Sequence, residues 1–475
     1  MADIHDLTAL DLWTELHNNA LSPREVAAHY LERIDRLNPH VGAFVTVTGE
    51  AALQRADEVA AQVTRTAPLW GLPLADKDLW MRAGVPTAFG SRAMAGFIPD
   101  TSDEMVAQLD TAGAVSLGKT AVPEFGLPCY TEPLGQQPTR TPWNLECGAG
   151  GSSGGAAAAV ASGMLPFAPG SDGGGSIRIP AAACGLVGLK PSRGLIPAGS
   201  GIESLAGLVV NGPLARTTAD AALLLDGMIA RVGSRIDHHY SLRAPHADDT
   251  FHLGAAVRGE GRFQLGVMTT SAWDNAYDIS VAPEAHAALG AAVAHFNALG
   301  HGIEETALEP DDTYAPAFRT IWQAGTARLP FEGESLALLE PLTAWLVGRG
   351  RAVGARELTE ALEALTAYER SFIRQFASFD AVMTPALALT PRPIGWYDPE
   401  DPERNFAQQV AYTPFTSMVN VTGLPAIVIP VIQTEAGVPM GVQLIGRPGG
   451  ERTLFALAAQ LERRIHWGLW HPPLW

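Results

Sequence analysis

Gly148 to Gly188 reads GAGGSSGGAAAAVASGMLPFAPGSDGGGSIRIPAAACGLVG, and this stretch decides the fold. Two serine-bearing glycine clusters, Gly150–Gly155 and Gly173–Ser176, flank a segment, Ala156–Met164, whose alanines predict a helix. Glycine lets a backbone approach a ligand closely or take positive φ, at an entropic cost in the unfolded chain. Two such clusters with hydroxyls inside them mark a place where backbone N–H groups and serines meet a substrate. Behind them Leu186-Val187-Gly188-Leu189 is a short apolar run with a strand pattern.

Working outward, helices and strands keep alternating. Ser22, Pro23 and Glu25 form an N-cap, a first-turn proline and a capping box, with Leu21 and Val26 as a hydrophobic staple. Val26, Tyr30, Ile34 and Leu37 follow at helical spacing, and Asn38-Pro39 is expected to stop the run. Ala51–Val63, Val106–Ala112, Thr217–Ala230, Pro283–Leu299 and Leu358–Phe379 also predict helices. Leu72–Trp80, Ala114–Gly118, Leu265–Met268, Ala381–Met383, Ala426–Ile429 and Gly441–Ile445 predict strands, and the polar stretch up to Gly261 predicts loops or a subdomain edge. This pattern gives an α/β fold with a central sheet covered by helices on both faces. No repeat and no Pro-, Gly- or Ser-rich linker divides the 475 residues, so a single domain is expected.

Composition excludes several classes. A 47% hydrophobic and 17% charged chain is a globular protein rather than a disordered one. The net charge of −18 repels phosphate backbones, so nucleic acid is not an expected partner. Three cysteines, Cys129, Cys147 and Cys184, have no metal-ligand spacing, and their sparse, odd count suits a reducing compartment. The start MADIHDLTALDLW lacks the basic and apolar regions of a secretory leader, and no run of about 18 apolar residues could span a bilayer. A cytoplasmic protein without membrane contact is expected.

Three catalytic readings of the serines compete. Gly151-Ser152-Ser153-Gly154-Gly155 spells G-x-S-x-G, the elbow that would make Ser153 a nucleophile, but Pro142–Gly148 before it is not the required apolar strand. Ser116-Leu117-Gly118-Lys119 spells S-x-x-K, yet it reads as strand where that motif opens a helix, and no K-T-G follows. The third reading joins both clusters to a lysine. Gly173-Gly174-Gly175-Ser176 offers consecutive N–H donors beside a hydroxyl, as an oxyanion hole with its nucleophile requires. Ser152 could pass the Ser176 proton to Lys77, kept neutral by apolar neighbours Leu72, Leu74, Leu79 and Trp80. Strand alternation sends Asp76 and Asp78 to the face opposite Lys77.

These residues resemble the amidase signature family, whose glycine-serine segment is followed by G-G-S-I-R-x-P, here beginning at Gly174 with Ser176 24 residues after Ser152. Gly118-Lys119-Thr120 with Pro123-Glu124-Phe125, Pro142-Trp143-Asn144, Asn420 with Gly423-Leu424-Pro425-Ala426, and Gly437-Val438-Pro439 with Gly441 extend the resemblance from Ser22 to Glu462. It implies a single amidase domain over residues 1–475, with a signature core near 70–220 and a variable pocket region near 230–410. It further implies Ser176 as acyl-enzyme nucleophile, Ser152 as a bridging serine in a cis peptide bond, and Lys77 as base. The oxyanion hole would be the N–H groups of Gly173, Gly174, Gly175 and Ser176, with Asp172 and Arg178 bracing the loop, and neither metal nor cofactor is needed.

Asp76 before the lysine and Gly173 before Gly174-Gly175 depart from the family's usual residues, and Ile179 stands where transamidosome A subunits typically carry Gln. Leu127, Cys129, Tyr130, Ile177, Trp322 and Phe415 are the candidate pocket walls. Together they suit small aromatic or aliphatic amides, anilides or carbamates, as in aryl acylamidases, cyclic-oligoamide hydrolases and urethanases. The alternative is the A subunit of a tRNA-dependent amidotransferase, supplying ammonia from glutamine. Trp467, Trp470 and Trp475 at the C-terminus are expected to dock the tail onto the domain, with a homodimer contact as the other use for them.

Overall fold

A computed structural model describes residues 3–196, 205–229 and 252–475. Near the N-terminus β1 (Phe44–Val47), β2 (Pro73–Lys77) and β3 (Val115–Thr120) form a small sheet in the order β1-β3-β2, with β2 parallel and β1 antiparallel to β3. A short hairpin, β4 (Arg140–Thr141) and β5 (Asn144–Gly148), leads into the first glycine cluster. The main sheet has eight strands: β6 (Phe167–Asp172), β7 (Val187–Lys190), β8 (Val210–Ala215), β9 (Gln264–Val267), β10 (Gly302–Glu305), β11 (Ala381–Pro385), β12 (Ala426–Gln433) and β13 (Pro439–Gly446). Their order is β10-β9-β11-β13-β12-β7-β8-β6; β9 runs parallel to β10 and β11, and the other pairs are antiparallel. The fold is α/β, a mixed sheet flanked by helices, as expected.

Local chemistry explains the helices that place the site. Ser22 caps Pro23–Val41 in a reciprocal box with Glu25. That helix does not stop at Asn38-Pro39: it continues through Pro39 and ends at Gly42, whose φ of 69° gives the left-handed cap. Proline this close to the end removes few helical bonds, so a glycine shortly after it sets the terminus. Gly154–Ala161 is buried on every side. A Cβ on Gly155 would lie 2.3 Å from Ala121 N, so only small residues let this helix reach that chain. The polar stretch thought to be loops holds a helix, His252–Arg258, anchored by backbone bonds to Asp226; residues 230–251 lie outside the described part.

Buried apolar residues from Ala9 to Trp467 form one large core cluster, and a second gathers Trp273, Tyr314, Phe318 and Phe415 beside the second glycine cluster. The tail docks on the chain: Trp467 donates to Arg216 O (3.2 Å), and Trp475 donates to Asp6 Oδ1 (3.1 Å) under the Arg216 guanidinium. Among the described residues no helix is long and apolar enough to cross a membrane.

Candidate active site

Lys77 ends β2 and is fully buried. Its Nζ lies 2.8 Å from both Ser152 Oγ and Ser153 Oγ, 3.0 Å from Ser171 Oγ and 3.1 Å from Ser171 O. Burial lowers its pKa to about 7, against the opposing charge of Asp172. Asp76 and Asp78 do point elsewhere. Asp76 pairs with Arg82 (2.6 Å) and accepts from Ser116 Oγ, while Asp78 pairs with Lys119 (3.3 Å). Those contacts also dispose of the S-x-x-K reading, because Ser116 and Lys119 belong to strand β3 and are occupied structurally.

The peptide bond between Gly151 and Ser152 is cis. Gly126, at φ 69°, leaves room above this turn: a Cβ there would stand 3.3 Å from Ser152 Oγ and 2.6 Å from Leu79. Ser153 is wholly buried; its N–H donates to Ser176 O (3.0 Å) and its hydroxyl donates to Ser171 O (3.3 Å). It therefore ties the two clusters together and presents no elbow to solvent. Ser176 lines the adjoining cleft, and among the described residues its Oγ has no hydrogen-bond partner. The expected link from Ser152 to Ser176 is thus not a formed hydrogen bond in this conformation.

Asp172 at the end of β6 fixes the loop before Ser176. Its Oδ1 accepts from Gly175 N–H (2.8 Å) and its Oδ2 from Ile177 N–H (3.1 Å). Of the four expected oxyanion donors, Gly175 is therefore already engaged. The N–H groups of Gly174 and Ser176 have no protein acceptor among the described residues. Arg178 meets Asp172 with two bonds, Nε to Oδ2 (3.0 Å) and Nη2 to Oδ1 (2.9 Å), and also donates to Thr416 O, Gln443 Oε1 and Asn420 Oδ1. Both partners are fully buried. Burial raises the Asp172 pKa, but the Arg178 charge and the Arg178 and Asn420 hydrogen bonds outweigh it and hold the carboxyl far below its usual range. Arg178→Met is expected to cost about 3–5 kcal/mol, because it strands a buried carboxylate. Chemical denaturation of the variant measures this, and an unchanged midpoint would remove the bracing role.

The cleft beside Ser176 is lined by Leu127, Pro128, Cys129, Gly174, Ile179, Trp273, Phe318, Trp322, Phe406, Gln409, Val410, Thr413 and Ser417. Of the candidate walls, Leu127, Cys129 and Trp322 stand there. Ile177 does not: it packs beneath Gly170, Gly188 and Gly212 of the sheet. Phe415 is fully buried in the second core cluster. Tyr130 stacks on Tyr397 at 3.9 Å between ring centroids, and its hydroxyl accepts from Asn405. Ile177 and Phe415 thus stand in the core rather than in the cleft, and Tyr130 is partly buried against Tyr397, since lying near a motif in sequence does not say which way a side chain faces. Trp273, Phe318 and Phe406 were missed because they come from distant segments whose aromatics read as ordinary core. At Gly173, a departure from the family's usual residue, a Cβ would meet Val209 at 3.0 Å and Trp322 at 3.7 Å. Asp3, His5 and Asp6 could hold a metal ion, their ligand atoms lying within 4.8 Å of one another, but they lie at the N-terminus under Trp475, not in this cleft.

A near-neutral buried lysine among serines, next to a glycine loop with free N–H groups, is equipment for acyl transfer. Residues 25–455 match the family model described as Amidase, and the chain belongs to this family, that of the amidase signature enzymes: it is an amidase, a hydrolase acting on amides. It is 34% identical to a provisionally named amidase of Synechocystis sp. (strain ATCC 27184 / PCC 6803 / Kazusa), covering 98% of this chain and 90% of that one. It is 32% identical to the A subunit of the glutamyl-tRNA(Gln) amidotransferase of Geobacter sp. (strain M21), covering 99% and 100%. Among solved structures, 6-aminohexanoate cyclic dimer hydrolase superposes with a TM-score of 0.89 at 29% identity, each chain fully covered. A bacterial aryl acylamidase of the amidase signature family superposes at 0.84 and 25% identity, covering 98% of both chains.

Proposed function

We propose that this chain, acting as one unit over residues 1–475, is a serine hydrolase that cleaves the C–N bond of small amides, anilides or carbamates through an acyl-enzyme on Ser176. The observation that carries the reading is the 2.8 Å contact between Lys77 Nζ and Ser152 Oγ, made by a lysine held near neutrality by burial. Hydrogen counting narrows the direction of the contact to two arrangements. A neutral amine has two hydrogens and one lone pair, yet Lys77 has four oxygen partners. Ser171 O can only accept, and Ser153 spends its own hydrogen on that carbonyl. The lone pair is left to Ser152 or Ser171, and a Ser152 O–H aimed at Lys77 leaves Ser152 Oγ free to accept from Ser176.

In the reaction, Ser176 attacks the substrate carbonyl while its proton passes through Ser152 to Lys77. The oxyanion that forms is met by the N–H groups of Gly174 and Ser176, with Gly173 at the mouth of the loop. Lys77 then returns a proton through Ser152 to the leaving nitrogen, which departs as an amine. Water, deprotonated through the same relay, cleaves the acyl-enzyme.

Intact-mass analysis across a panel of amides, anilides and carbamates is the direct test. A mass increase equal to the acyl group, mapped to Ser176, is expected for at least one class. Hydrolysis by the purified chain alone separates this reading from the amidotransferase one, which would need glutamine and a partner.

A further inference from the structure

The cleft beside Ser176 has a polar feature that the acyl-transfer chemistry does not use. Trp273, Phe318, Trp322 and Phe406 make its walls, and among the described lining residues there is no carboxylate, lysine, arginine or histidine. Burial pushes the Cys129 thiol up to about 12, so it is uncharged as well. An ammonium or carboxylate placed here would lose its hydration without gaining a counter-charge.

Among these walls Ser417 sits between two donors. Trp273 Nε1–H, which can only donate, lies 2.9 Å from Ser417 Oγ, and the Tyr314 hydroxyl lies 2.8 Å from the same atom. Tyr314 is fully buried and its hydroxyl has no other partner among the described residues. If Ser417 donated to Tyr314, the tyrosine hydrogen would be left without an acceptor in the core, at a cost of about 1–3 kcal/mol. Tyr314 therefore donates, Ser417 Oγ accepts twice, and the Ser417 hydrogen is left over, on a residue that lines the cleft. Apart from Ser176, the other polar side chains of the lining are engaged at least once. Thr413 donates to Gln409 O (2.9 Å), and the Gln409 amide is held between Cys129 N–H (2.9 Å) and Asn405 Oδ1 (2.7 Å). Ser417 is also fixed relative to the nucleophile loop, since neighbouring Thr416 donates to Gly174 O (2.6 Å) and Asn420 donates to Asp172 O (2.9 Å).

We propose that Ser417 is a specificity-determining residue, its O–H donating to an acceptor oxygen on an uncharged aromatic group of the amide substrate. This deepens the amidase reading above and rests on it for the identity of the cleft.

The test is calorimetric binding to the Ser176→Ala protein, with two pairs of near-isosteric amides. One pair carries the probe on the acyl side, the anilides of 4-acetylphenylacetic and 4-isopropylphenylacetic acid; the other carries it on the amine side, the phenylacetamides of 4-acetylbenzylamine and 4-isopropylbenzylamine. In at least one pair the ketone should bind about 5-fold tighter, the value of one net hydrogen bond, although the isopropyl group is the more apolar. Adding Ser417→Ala, or Ser417→Cys should the first variant not fold, should bring that ratio to about 1. Tyr314→Phe should keep the preference, because Ser417 keeps its hydrogen. A merely structural Ser417 would weaken both members of a pair alike. Equal affinities in both pairs, a preference surviving the Ser417 variants, or failure of all four amides to bind overturns the assignment. Turnover is read separately with the wild-type chain: a ketone preference without Ser176-dependent hydrolysis counts against the triad alone, and hydrolysis without the preference counts against Ser417 alone.

Discussion

Ser176→Ala should reduce amide kcat/KM by at least about 10⁴-fold, to the level left by binding and oxyanion donors alone. Ser152 and Ser153, the hydroxyls of the first glycine cluster, are not expected to replace it. Ser152 and Ser153 are both against Lys77, and Ser153 is wholly buried with its hydrogen given to Ser171 O. Ser153→Ala should therefore keep acyl-enzyme formation and lose about 10-fold or less, the effect of loosening one contact to the base. The two variants, assayed on one anilide, also judge the elbow reading. If Ser153→Ala were dead and Ser176→Ala active, Ser153 would be the nucleophile after all. Wild-type rates in Ser176→Ala would falsify the acyl-enzyme mechanism.

Lys77→Ala should cost about 10³-fold on amides and distinctly less on the corresponding esters. An ester's alkoxide can leave without a proton, whereas the amide nitrogen must receive one, so the loss divides by leaving group. The pH profile carries the same information. The proposed base role needs Lys77 neutral, and burial brings its pKa from 10.5 down to about 7. The wild-type kcat/KM should rise about tenfold per pH unit below about 7 and level off above it. In Lys77→Ala that inflection should vanish. Equal losses on amides and esters, with the inflection kept, would place the base elsewhere.

The two glycine-serine clusters were legible because chemistry constrains them twice, in residue type and in register. A glycine loop carrying a serine and a lysine among apolar neighbours suggested the three groups, the family resemblance implied their roles, and the alternation in β2 was enough to send Asp76 and Asp78 away from Lys77. The long amphipathic helices were equally plain, since a one-sided apolar stripe is a local signal. Pocket walls are different. Ile177 and Ser176 are adjacent, yet one packs under the sheet and the other faces the cleft. Trp273, Phe318 and Phe406 carry no local mark separating a wall from a core residue.

Read alone, the chain thus determined its α/β class, the family it resembles and the candidate residues proposed for the chemistry, because motif and periodicity are properties of neighbours in sequence. Tertiary structure decided that Gly175 gives its N–H to Asp172, that Ser153 is a tie rather than an elbow, and that Lys77 is dry enough to sit near neutrality. It also decided which aromatics border Ser176. Desolvation and hydrogen-bond partnership depend on segments far apart in the chain, such as those of Ser417 and Trp273, meeting at one place. No window of sequence contains that meeting.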